Sequence, residues 1–223
     1  MNEQGNTDII SYLAGLDVDV FGVGELSAYT QGFVGLGEDI LAQYPFAISF
    51  GLSLSQGVLA TVSDGPNALY LHHYRQLNYR LDIIAYQLSR EIEKRGYKSI
   101  PFAASQVVDW RNQKAHISHK HVGVIAGLGW IGRNNLLVHP FYGSQARYNT
   151  VLTDMPLEAA KPLDQGCGTC RACVDSCPGQ AIKENPSEFD HMGCYNTITQ
   201  FKNKRNLGHH ICGICAEVCK GTR

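Results

Sequence analysis

Cysteine occurs eight times in this sequence, always between positions 167 and 219. The order is Cys167-x2-Cys170-x2-Cys173-x3-Cys177-Pro178, then Cys194, then Cys212-x2-Cys215-x3-Cys219. The first run has the spacing of bacterial two-cluster ferredoxins. There, three thiolates of a short loop wrap one [4Fe–4S] cluster, and the fourth, followed by proline, ligates the other. The spacing therefore assigns Cys167, Cys170, Cys173 and Cys219 to one cluster. It leaves Cys177, Cys194, Cys212 and Cys215 for a second. The chemistry is one-electron transfer, with crossed ligation keeping the clusters close. Gly166, Gly168 and Gly213 suit loops whose amides face sulfide. Two other chemistries use cysteine pairs. C-x2-C pairs build tetrahedral zinc sites, and a disulfide framework needs an oxidising compartment. The x2-x2-x3 run with its proline fits cubane clusters better than either.

Electrons delivered to a substrate are commonly matched by protons, so proton donors are the next residues to seek. His116, His119 and His121 cluster before a glycine loop, and imidazole titrates near neutral pH. Asp109 is a further candidate acid, and Tyr74 another donor. His209 and His210 precede Cys212 and could tune a cluster by hydrogen bonding. His73 falls on the apolar face of a long helix and reads as core. The loop Gly127-Leu128-Gly129-Trp130-Ile131-Gly132 matches G-x-G-x-x-G. It opens an alternative reading as an NAD(P)-dependent oxidoreductase, with Asp154 as the ribose acid. Against it, Arg133 to Val138 reads as a strand, where the fingerprint needs a helix N-terminus for the pyrophosphate.

The elements that must position these residues are legible in outline. A short helix is expected over 7–15, and strands over 18–23 and 46–50. The clearest helix runs from about Pro66 to Arg95, with Leu69, His73, Leu77, Leu81, Ile84, Leu88 and Ile92 on one face. Asp64 is its expected cap and Gly96 its end. An extended link at 100–102 and a helix over 118–125 follow. Strands at 136–138 and 148–152 flank a turn at 141–144, and residues 156–162 form a linker. The expected organisation is an α/β domain over 1–160 and a ferredoxin-like double-cluster domain over 161–223.

The chain has 223 residues, a formal net charge of −1, 44% hydrophobic and 17% charged residues. That balance gives no general affinity for nucleic acid or membrane. No apolar run is long enough to span a bilayer. With no secretory segment visible, a cytoplasmic protein is expected.

The stretch His119 to Leu137, with its A-G-L-G-W-I-G block, resembles the epoxyqueuosine reductase family. The likeness continues through Tyr142-Gly143-Ser144, Thr150 to Leu157 and the cysteine segment. That family, like the related reductive dehalogenases, carries a corrinoid in an α/β domain beside two [4Fe–4S] clusters. The resemblance implies electrons passing from a ferredoxin or flavodoxin donor through the clusters to cobalt, and then to an unknown small-molecule substrate. It makes Gly127 and Gly129 candidates for close backbone approach to the macrocycle. Trp130 and Tyr142 become candidate ring covers, and Asn134 and Arg147 contacts for corrinoid amides. The family's proton-donating aspartate lies in a V-D-[ST]-A-P-V motif. The nearest match, Val108-Asp109-Trp110-Arg111, lacks the A-P-V. No repeat domain follows Cys219 and the charge is near neutral, so tRNA is not the expected substrate. An electron-transfer subunit without its own active site is the competing reading.

Overall fold

The computed structural model describes residues 3–222, with side chains from Asp8 onward. It divides into two compact units that alternate along the chain. Unit one comprises Met1–Leu52, Asn78–Leu128 and Arg147–Leu163; unit two comprises Ser53–Leu77, Gly129–Ala146 and Asp164–Arg223. The last break lies close to the 160/161 boundary expected from the sequence. Residues 53–77 and 129–146 join the cysteine-rich segment.

In chain order the elements are α1 (Glu3–Gly15), β1 (Val20–Glu25), α2 (Glu38–Leu41), β2 (Phe46–Ser53), α3 (Gln56–Leu59), α4 (Ala68–Lys94), β3 (Ser99–Pro101), α5 (His119–Ile125), β4 (Trp130–Ile131), β5 (Leu137–Val138), β6 (Ala146–Thr153), α6 (Ala172–Ser176), α7 (His191–Lys204) and α8 (Ile214–Glu217). The mixture of α and β agrees with the expected class.

Unit one is built on a four-stranded sheet in the order β1-β2-β6-β3. β1 runs antiparallel to β2, with Val20 opposite Gly51 and Glu25 opposite Phe46. β3 runs antiparallel to β6. The inner strands β2 and β6 are buried along nearly their whole length, so neither alternates in sequence as a half-exposed strand would. One cluster of core side chains joins Ala47 and Leu152 of the sheet to Val122 of α5, Leu41, Phe102 and Ile117. α5 lies tight on β1, where a side chain at Gly24 would come within 2.7 Å of Ile125. From Leu81 to Ile92, α4 buries Leu81, Ile84, Leu88 and Ile92 completely.

In unit two the first turns of α4 bury a different face. Tyr70 and Leu71 join Leu54, Leu59, Val62, Leu207 and Ile211 in a second core, and Leu69 is 52% exposed. The expected stripe began with three steps of four residues, Leu69 to Leu81. Each such step overshoots a full turn by about 40°, so the face rotates away from Leu69. The cap also differs from expectation. Asn67 accepts the Tyr70 N–H at 2.9 Å, while Asp64 pairs with Arg205 at 3.2 Å. His73 is not an apolar core residue; its Nε2 accepts the Ser55 N–H at 2.9 Å. β4 and β5 form a small antiparallel hairpin, and the described residues after 163 are helices and loops.

The G-x-G-x-x-G loop is entered from helix α5 and left through strand β4. A dinucleotide fingerprint needs the reverse order, strand then helix, to aim backbone amides at a pyrophosphate. Asp154, its expected ribose acid, instead accepts the Lys98 N–H at 2.6 Å. The nicotinamide reading is therefore withdrawn. Among the described residues no helix is long and apolar enough to cross a membrane.

Candidate functional site

All eight cysteines are free thiols gathered in unit two. Cys167 and Cys170 sit in the loop before α6, closed by a Cys170 N–H to Cys167 carbonyl bond of 3.0 Å. Cys173 lies in α6 and Cys177 at its end, Cys194 in α7, Cys215 in α8, and Cys212 and Cys219 on either side of α8. Their mutual influence sorts them into two groups. Burial pushes the Cys173 thiol up to about 11, helped by Cys219, Cys167 and Cys170. Burial also pushes Cys194 up to about 11, helped by Cys212 and Cys177. Cys215 is raised well above the ordinary thiol value, by burial first and then by Cys212, Cys194, Cys173 and Cys177. A cavity opens among Cys167, Cys170, Cys173 and Cys219, walled by Trp130 and Asn134. Thiols crowded and buried in this way gain from a cationic centre that takes them as thiolates. No group of three or more His, Cys, Asp or Glu among the described residues is spaced for a single metal ion. A polynuclear cluster spreads its thiolates around its own body, so the chemistry of the donor set fits iron–sulfur clusters.

Part of the glycine block faces this cysteine site. Trp130, buried, points its indole Nε1–H at Cys167 Sγ, 3.4 Å away. Asn134, also buried, donates to Ser144 Oγ at 2.9 Å and accepts the Leu136 N–H at 3.2 Å. Tyr142 belongs to a turn whose amides at Phe141 and Tyr142 donate to His139 Nδ1, at 3.1 and 3.3 Å. A side chain at Gly129 would run into the Val138 carbonyl, and one at Gly127 would lie 2.9 Å from the Lys161 carbonyl. These five residues were expected against a corrinoid. The glycines admit neighbouring backbone, and the polar side-chain atoms of Trp130 and Asn134 are engaged by protein groups. Arg147 likewise donates to Asn78 Oδ1 at 3.1 Å and to the Ala104 carbonyl at 3.3 Å.

Sequence reasoning passed over Arg133. Its guanidinium, 14% exposed, donates to the carbonyls of Glu184 at 2.8 Å, Cys170 at 2.9 Å and Gly168 at 2.9 Å. It clamps the loop that carries Cys167 and Cys170. The available signal was its place beside the glycine block, three residues after Trp130. Arg133→Lys keeps the charge but loses the planar fork. It is expected to destabilise the cysteine loop by about 1–2 kcal/mol, since the three acceptors lie on exposed residues where water partly replaces the lost bonds. Faster loss of bound iron to a chelator, with far-UV circular dichroism unchanged, is the measurement.

The proposed acids of unit one are spent on structure. Asp109 accepts the N–H groups of Arg111 and Asn112, both at 3.0 Å, and the Asn112 side-chain amide at 2.7 Å. The Asn112 bonds hold its carboxyl below the usual carboxylate range, the opposite of what a proton donor needs. His116 Nδ1 lies 2.7 Å from the Val34 carbonyl, and the Val34 N–H donates back to His116 O at 3.1 Å. His119 uses both ring nitrogens, with Nε2 3.0 Å from the Ala103 carbonyl and Nδ1 2.9 Å from Thr150 Oγ1. His121 Nδ1 meets Ser118 Oγ at 2.7 Å. In unit two, the rings of His209 and His210 lie against Tyr74 and Tyr195.

His119 carries a pH prediction. Burial lowers its pKa from 6.5 to about 4, aided by Arg147 and opposed by the Ala103 bond. The folded state therefore holds it neutral, with Nε2–H donating to Ala103 and the Thr150 hydroxyl donating to Nδ1. Unfolding lets it protonate below about 6.5, so its contribution is complete above that pH and declines as pH falls toward 4. At pH 5 the loss is about 2 kcal/mol. Hydrogen exchange of the α5 and β6 amides, corrected for intrinsic rates, should show protection falling between pH 7 and pH 5. His119→Gln should flatten that fall.

No family model matches the chain. It is 38% identical over 103 residues to an epoxyqueuosine reductase of Leadbetterella byssophila, covering 42% of this chain and 33% of that protein. It is 36% identical over 113 residues to the tetrachloroethene reductive dehalogenase of Sulfurospirillum multivorans, covering 45% and 23%. Its fold matches the catabolic reductive dehalogenase NpRdhA with a TM-score of 0.77 at 21% identity, covering 96% of this chain and 31% of that one. The matched regions span less than half the length of these curated relatives.

Proposed function

Because this chain belongs to the epoxyqueuosine reductase and reductive dehalogenase-like family, we propose that it is an iron–sulfur oxidoreductase. Its eight cysteines would hold two [4Fe–4S] clusters, Cys167, Cys170, Cys173 and Cys219 on one and Cys177, Cys194, Cys212 and Cys215 on the other. When bound, such clusters supply one-electron transfer. The observation that carries the reading is the cavity lined by Cys167, Cys170, Cys173 and Cys219 together, with Cys212 and Cys177 acting on Cys194 beside it. Residues 161–223 form the ferredoxin-like part in this reading. The protein's own task is to hold the thiols in place through Arg133, to donate to Cys167 from Trp130, and to exclude water. A ferredoxin or flavodoxin would supply the electrons. Free thiols persist in a reducing compartment, which supports a cytoplasmic location.

The reductase would work through a corrinoid on a small-molecule substrate, a reading that rests on the family and not on the residues first named for it. A second reading, an electron carrier without its own reaction centre, is favoured by the engagement of Asp109, His116 and His119 in structural bonds. Anaerobic reconstitution followed by titration with cob(II)alamin separates the two. Two reducible clusters and a shifted cobalt EPR signal at one equivalent support the corrinoid reductase. Two clusters with an unshifted cobalt signal leave the carrier. A colourless, iron-free protein after reconstitution would sink both.

A further inference from the structure

The connection from β1 to β2 in unit one encloses a cleft of about 560 Å³ that the iron–sulfur reading does not use. That volume lies within the ~300–1,000 Å³ range of small-molecule sites. Its wall carries four aromatic rings, Tyr29, Phe33, Tyr44 and Phe46, and two exposed carboxylates, Glu25 and Glu38. No lysine, arginine or histidine lines it. We propose that this cleft binds a small organic cation, a substituted ammonium on an apolar or aromatic body.

The argument is one of charge and shape. Aromatic faces carry negative potential and attract cations, and quaternary ammonium groups are recognised by cages of such rings. Glu25 pairs across the sheet with Phe46, so a carboxylate and a ring stand on the same face of adjacent strands. Glu25 and Glu38 are the charged residues of the lining, an arrangement that disfavours an anion and leaves a neutral ligand without use of the carboxylates. A primary ammonium is strongly hydrated and loses that water on binding, whereas alkyl substitution weakens its hydration and matches the apolar wall. The wall is held in advance. The Tyr29 hydroxyl accepts the Ser118 N–H at 2.8 Å, and its ring lies 5.0 Å from that of Phe33. The two bonds between Val34 and His116 tie down the next turn. Little ordering is left for the ligand to impose. The site depends on none of the cysteines, so it stands or falls apart from the proposed redox function.

Isothermal titration of the cluster-loaded protein tests it with three probes: benzyltrimethylammonium, its uncharged isostere neopentylbenzene, and benzoate. The cation should bind saturably at one site, about tenfold or more tighter than the isostere, and benzoate should not bind. The Glu25→Gln/Glu38→Gln double variant, altered only at exposed positions, should lose about tenfold in cation affinity. Its affinity for the isostere and its thermal unfolding should stay unchanged. Ring NMR signals of Tyr29 and Phe33 should shift with the cation. The proposal is overturned by the absence of saturable binding at millimolar probe. Equal affinity for cation and isostere, or unchanged cation binding by the double variant, overturns it as well.

Discussion

Cys219→Ser is expected to remove one cluster and leave the other, lowering bound iron from about eight to about four atoms per chain. Cys167→Ser should abolish the same reduced-state EPR signal, although 52 positions separate the two residues. Cys177→Ser, only four positions beyond Cys173, should abolish the other signal. This pattern follows from the thiol groups. Cys173 interacts most strongly with Cys219, then Cys167 and Cys170, whereas Cys177 acts on Cys194, Cys212 and Cys215. If Cys177→Ser and Cys167→Ser remove the same signal, ligation is not crossed and the assignment fails. Zinc in place of iron in the native protein would fail it more completely.

Gly143→Ala should be nearly as damaging, and without touching a thiol. Gly143 has φ +59, a conformation in which a Cβ is strained. That Cβ would also run into the Cys219 carbonyl and lie 2.6 Å from the Gly221 amide. Both obstacles are backbone, so no side-chain rotation relieves them. Strain of about 1–2 kcal/mol for the left-handed conformation adds to about 1–3 kcal/mol for overpacking. The segment that must yield is the one bearing Cys219. The expected result is a protein that retains one cluster well and holds the other weakly, seen as biphasic iron release to a chelator. Asn at the same position, which tolerates φ > 0 but keeps the clash, should be no better than Ala. Rescue by Asn would show that conformation, not space, sets the cost.

The cysteine chemistry was readable because thiolate spacing in a short loop is a local constraint. The spacing of Cys167, Cys170 and Cys173 holds whatever the rest of the chain does. The long helix α4 and the ends of α5 were likewise readable, since periodicity and a glycine stop act within a few residues. The glycine block was visible, but its packing partners were not. Its composition says only that something approaches closely at Gly127 and Gly129. Whether that is a macrocycle or the carbonyls of Lys161 and Val138 depends on residues distant in sequence. The bonding of Asp109, His116 and His119 was hidden for a related reason. Residue type sets what a side chain can do, but its pKa is decided by partners such as Asn112, Ala103 and Thr150, and by burial. Arg133 escaped notice because its three acceptors are backbone carbonyls, which every residue possesses. Short-range spacing thus dictated the local cysteine pattern, the helices and the mixed α/β class. Long-range packing alone decided which glycines make room for protein, which titratable groups are already bonded, and where a second cleft opens, because those depend on the neighbours folding supplies.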